Sequence, residues 1–125
     1  MMIMSKNTIR HQMRALRDQL SPDTVQEASQ QLITQLLQHP RFIHSQHIAL
    51  YRAIHQEVDP SGLLHDHRCQ EKTFYLPCIT PQKQLNFVRV DANTSYHRNQ
   101  YGIEEPISAE HPIPHTDLDL VLVPT

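Results

Sequence analysis

The sequence predicts an α/β fold, a mainly parallel sheet with flanking helices in three layers. Three observations carry this. Short β-prone apolar runs stand at 47–51, 73–77 and 118–123, each shorter than a helix needs. The first two are separated by the helix-start signal Asp59-Pro60, so strand, helix and strand follow in the order of a parallel crossover. Two amphipathic helical stretches precede the first strand. With 125 residues and 38% hydrophobic side chains, the chain is read as a single domain over 1–125.

The first helix is expected over about 6–20. Ile9, Met13, Leu16 and Leu20 recur at helical spacing, and Ser5 stands at the N-cap position. Lys6, Arg10, Arg14 and Arg17 form a basic stripe beside that apolar one. Ser21-Pro22 restarts a helix over about 22–38, with Val25, Ala28, Leu32, Leu36 and Leu37 as its apolar stripe. His39-Pro40 ends it, because the residue before proline avoids helical angles. The crossover helix is expected from Asp59-Pro60 to about Arg68. Pro81-Gln82-Lys83 is a turn, and Gln84 to Val90 alternates as a further strand. Ser108 to Thr116, rich in Pro and His, reads as a surface loop.

Composition removes several functions. The two glycines, Gly62 and Gly102, are too far apart for a dinucleotide fingerprint or a P-loop. The net charge of −2 gives no basic field for nucleic acid. Charge is nonetheless uneven. Four cations face one Asp18 in residues 1–20, while residues 101–125 carry Glu104, Glu105, Glu110, Asp117 and Asp119 with no Lys or Arg. This pattern fits a local anion site. No apolar run approaches a membrane span, no signal peptide is read, and Cys69 and Cys78 fit free thiols in a reducing cytoplasm.

Candidate chemistry is sparse. Lys6 and Arg10, one helical turn apart, could share one phosphate, although a solvated helix face has the same pattern. Glu57 follows a strand in a polar loop, where a carboxylate could take an N–H-rich ligand. Asp59 reads as a helix cap. The ten histidines match no zinc motif, so no metal site is assigned. Tyr101-Gly102-Ile103-Glu104-Glu105-Pro106 reads as a turn that offers an aromatic ring.

Six segments in order resemble the 5-formyltetrahydrofolate cyclo-ligase family. They are Lys6-Asn7-Thr8-Ile9-Arg10, Ile48-Ala49-Leu50-Tyr51 with Glu57-Val58-Asp59, Phe74-Tyr75-Leu76-Pro77, Leu85-Asn86-Phe87, Tyr101 to Pro106, and Leu118 to Pro124. The resemblance implies an ATP-dependent ring closure, with Mg²⁺ accompanying the nucleotide. The product of 5-formyltetrahydrofolate is 5,10-methenyltetrahydrofolate. It also implies that Lys6, Asn7, Thr8, Ile9 and Arg10 belong to the ATP site. Glu57 matches the folate-binding glutamate. Arg52 falls on a substrate-contact position that is usually apolar in the family, and Tyr101 on an aromatic flanking the folate. No catalytic residue is assigned.

The family pattern continues beyond the Val-Pro strand into a glycine-rich basic loop ending in Tyr-Tyr-Asp-Arg. That loop carries most of the ATP contacts. The C-terminal part of the fold is therefore expected to be missing from these 125 residues, and the chain alone to be without turnover. The alternative is a truncated, inactive homologue acting at most as an anion-binding or interaction module. A folate small molecule is the expected partner, with neither nucleic acid nor membrane. The poorly covered strand 118–123 predicts self-association.

Overall fold

The computed structural model describes residues 21–54, 56–107 and 112–124. The expected helix 6–20, and with it Lys6, Asn7, Thr8, Ile9 and Arg10, lies outside the described residues.

Helix α1 spans Pro22–Gln38. Ser21 caps it, its Oγ accepting from the Thr24 amide at 3.1 Å, and proline fills the first turn where no donor is needed. His39 turns extended and ends the helix before Pro40. A single turn, α2 (Pro40–Ile43), follows and buries Phe42.

Among the described residues, seven short strands follow: β1 (His47–Ala49), β2 (Thr73–Ile79), β3 (Leu85–Val90), β4 (Tyr96–Arg98), β5 (Glu104–Pro106), β6 (Pro112–Ile113) and β7 (Leu120–Val121). Five form one sheet in the order β6-β3-β2-β1-β7. Its centre is parallel, with β2 and β7 flanking β1, and its far side is antiparallel through β3 and β6. The α/β class therefore stands. Strand β7 is shorter than the apolar run 118–123. Its pairing with β1 nevertheless continues at both ends, through Asp119 N–H to His47 O at 2.8 Å and Leu122 N–H to Ala49 O at 2.9 Å.

Alternation along the strands divides the core. Ile48, Leu50, Phe74, Leu76 and Val90 face Ile33, Leu36 and Leu37 of α1, together with Phe42 and Leu63. Ala49, Tyr75 and Phe87 face the opposite side, against Ile113 and Leu118. Burying these large apolar side chains contributes about 1.5–3 kcal/mol each.

The crossover from β1 to β2 corrects one expectation. In place of a helix over 60–68, the chain makes two 3-10 turns, Ser61–His65 and His67–Cys69. Gly62 explains part of this. A Cβ there would meet the end of the Ile33 side chain, Cδ1, at 2.8 Å and displace it, so glycine eases the approach of the turn to α1, and glycine weakens a helix by about 1 kcal/mol. Asp66 then restarts the chain, its Oδ1 accepting from the Arg68 amide at 2.9 Å. The loop expected at 108–116 contains β6, which adds to the sheet edge at β3. The turn expected at 101–106 is likewise half strand. Gly102 adopts φ 76° at the turn, and β5 then pairs with β4 in a separate two-stranded ribbon.

Candidate functional site

In an open α/β sheet, ligands settle beyond the carboxyl ends of the strands, where connections diverge to either side. Here that place lies beyond β1, between β2 and β7. Residues 50–59 leave β1 there, and two clefts open on either side of them.

The first cleft, about 350 Å³, lies between α1 and the end of β7. Tyr51, Glu57 and Val58 form one wall, and Leu122, Val123 and Pro124 another. The loop that brings Glu57 here is closely tied. Ile54 N–H donates to Glu57 Oε1 at 2.9 Å, and Glu57 N–H returns to Ile54 O at 3.0 Å. Gln56 takes φ 62° to close this turn, a left-handed conformation that is uncommon outside glycine. The Tyr51 hydroxyl donates to the Val58 carbonyl. Burial, reinforced by the negative charges of Glu57 and Asp59, pushes the Tyr51 phenol above its ordinary pKa. Beyond Glu57, the Asp59 amide donates to Ser29 Oγ at 2.8 Å, and that hydroxyl donates to Val25 O, which ties the loop to α1.

The second cleft, about 390 Å³, has Arg52, Ile54, Arg98, Tyr101 and Glu104 on its walls. Arg52 reaches Glu104 at 2.6 Å and stacks 4.6 Å from the centre of the Tyr96 ring. The guanidinium is thus held between a carboxylate and an aromatic face. Asn99 shapes the turn that carries Tyr101, its Oδ1 accepting from the amides of Tyr101 and Ile103. Tyr101 itself is 58% exposed, so its ring is available to a ligand. Next to Glu104, Glu105 is buried and accepts from the Ile79 amide at 2.7 Å, which anchors the β4–β5 ribbon to β2.

The structure therefore brings Arg52 and Tyr101 together and places Glu57 in the neighbouring cleft. Ile54 links the two, since it lines the second cleft while its amide binds Glu57. Tyr51, Tyr96 and Glu104 escaped the sequence reading. Glu104 belongs to the Tyr101–Pro106 segment, but its pairing with Arg52 depends on how the ribbon folds back, which spacing does not reveal.

The sequence model of the 5-formyltetrahydrofolate cyclo-ligase family matches residues 2–125. The chain belongs to that family. Among solved structures it is similar to the 5,10-methenyltetrahydrofolate synthetase of Aquifex aeolicus, with 28% identity and a TM-score of 0.81. The match covers 96% of this chain and 60% of that one. No curated protein matches the chain.

The remaining groups of this cyclo-ligase family member have structural roles. Cys69 and Cys78 are free and buried, and burial raises both thiols, Cys78 to about 11. Such thiols are poor nucleophiles. Among the described residues, no group of three or more His, Cys, Asp or Glu side chains is placed to hold a metal. No helix among them is long and apolar enough to cross a membrane.

Proposed function

We propose that this chain is the folate-binding part of an ATP-dependent 5-formyltetrahydrofolate cyclo-ligase of one-carbon metabolism, working in the cytoplasm. One observation carries the reading: the Glu57 carboxylate stands in a cleft beyond the carboxyl ends of β1 and β7, in a chain of this family. A carboxylate among apolar walls is the group that pairs with the N–H edge of a pterin. Tyr101 and Arg52 flank the second cleft, where an aromatic part of the folate would stack.

In the overall reaction, the formyl oxygen takes the γ-phosphoryl group of ATP and ADP leaves. The neighbouring folate nitrogen attacks the activated carbon, and phosphate departs to give the methenyl ring. The protein's share is orientation of the two reacting groups and charge stabilisation. Glu57 contributes orientation. Lys6 and Arg10 are the proposed phosphate contacts. The first cleft has no cationic wall among the described residues, so it fits the folate better than a triphosphate.

The chain spans 60% of the solved relative, which favours binding without turnover by these 125 residues. Titration calorimetry with 5-formyltetrahydrofolate tests the reading. Binding is expected, weakened roughly thirtyfold by Glu57→Gln, since a hydrogen bond from a charged group is worth about 2 kcal/mol. Absence of binding would overturn the folate assignment. Methenyl product formed by this chain with ATP and Mg²⁺ would overturn the claim that it lacks turnover. The exposed Val121 and Val123, 47% and 66% accessible, support self-association through β7. A concentration-independent monomer in sedimentation would exclude it.

A further inference from the structure

We infer that Tyr51 is the positioning residue of the substrate site: its hydroxyl, by holding the Val58 carbonyl, fixes the loop that presents the Glu57 carboxylate. The inference rests on the proposed folate-binding role of Glu57 and adds a second residue to that site.

The geometry is local and closed. Tyr51 is the second residue after β1, on a segment anchored to the sheet by Leu50 N–H to Tyr75 O at 2.8 Å. Its side chain spans the base of the loop to Val58, seven residues on and directly after Glu57. Inside that span the turn is tight, with reciprocal Ile54–Glu57 bonds and a left-handed Gln56. A non-glycine residue is disfavoured in that conformation, so the turn persists only while surrounding contacts over-determine it. Among the described residues, two side-chain contacts do so from outside the turn. Ser29 holds Asp59 from the helix side, and Tyr51 holds Val58 from the sheet side. Of the two, only Tyr51 also walls the cleft that contains Glu57.

Phenylalanine at position 51 keeps the ring and its packing but leaves the Val58 carbonyl without its donor. The first measurement needs no ligand. Amide exchange at Ile54 reports the Glu57 carboxylate directly, because that amide donates to Glu57 Oε1. Tyr51→Phe should speed Ile54 exchange about tenfold, with slow exchange kept at Ile48 and Leu76 in the core. Unchanged Ile54 exchange overturns the inference. The second measurement is the affinity for 5-formyltetrahydrofolate in a double-mutant cycle. Tyr51→Phe alone should weaken binding about tenfold, and should cost less than twofold once Glu57→Gln is present. Equal, additive losses would mean that Tyr51 acts on the fold in general, and would overturn the inference. If Glu57→Gln itself leaves folate affinity unchanged while Ile54 exchange responds to Tyr51→Phe, the positioning of Glu57 stands and the folate role of Glu57 falls. Ser29→Ala is the companion variant. It should accelerate exchange at Asp59 more than at Ile54, because it releases the other end of the loop.

Discussion

The two ends of the parallel strands are built differently. At the amino end, charged side chains are consumed by the backbone. Lys72 Nζ donates to three carbonyls, those of Phe42, Ile43 and Ser45, at 2.7, 3.0 and 2.6 Å. The Asp119 carboxylate accepts the amides of Gln46 and His47, at 2.9 and 2.8 Å. His47 Nδ1 meets the Tyr75 hydroxyl at 2.9 Å. At the carboxyl end, Glu57, Arg52 and Tyr101 line clefts on a loop and a ribbon. The same chemical groups serve as fasteners at one end and line open clefts at the other, where they are the proposed folate contacts. If the proposed folate contacts hold, stability and binding are carried by different residues, and substitutions should separate them.

The largest effect is expected at the fastened end. Lys72→Met leaves three carbonyls without their donor and should lower unfolding free energy by about 3 kcal/mol. Urea denaturation reads this directly. The folded fraction should still bind 5-formyltetrahydrofolate, and a matching loss of intrinsic affinity would break the contrast. Next comes Glu57→Gln, which should do the reverse. Its roughly thirtyfold loss of folate affinity, about 2 kcal/mol, should come with a melting temperature close to that of the parent. A smaller effect is expected for Glu104→Gln. The Arg52–Glu104 pair is partly exposed, at 24% and 37% for the two side chains, so stability should fall by only about 0.5 kcal/mol. Freed from Glu104, Arg52 would be more mobile, and salt should affect folate binding more than in the parent.

The smallest effect is a pH dependence. The His47 and Gln46 amides hold the Asp119 carboxyl below its ordinary value of 3.8. A depressed carboxyl stabilises the fold fully above that value, and the contribution is lost as pH falls through the lower folded pKa. Thermal melting from pH 6 downward should show the parent more stable than Asp119→Asn near neutrality. The two curves should converge in acid. A gap that stays constant to low pH would show that charge plays no part in the fastening.

Much of the frame was legible because local signals and tertiary packing agree. Ser21-Pro22 and His39-Pro40 bound α1 by local cap and proline chemistry, the run 47–51 contains β1, and the run 73–77 opens β2, which continues to Ile79. The illegible parts are those decided at a distance. A Cβ on Gly62 would lie 2.8 Å from Ile33 Cδ1, and nothing near Gly62 in the sequence tells of Ile33. Strands β4 and β5 are too short and polar to show a period, so their pairing follows from the Asn99–Gly102 turn and from Glu105 on β2. The candidate site divides in the same way. Glu57 and Tyr101 stand out by position as well as by resemblance, and Arg52 by resemblance alone, whereas the carboxylate that holds Arg52 lies fifty-two positions away in the chain. The hydroxyl that holds the Glu57 loop belongs to a residue that reads simply as the end of a strand.

Lys72 has a chemical consequence as well. An ammonium group has three N–H bonds, and this one donates to three carbonyls. To react with an acylating reagent, the amine must shed a proton and turn its lone pair outward, which breaks that arrangement. Lys83, in an exposed turn at φ 61°, has no such constraint. Acylation should mark Lys83 at once and reach Lys72 only when the amino end of the sheet opens. The delay between the two lysines is a clock for that opening, built into the chain without any added probe.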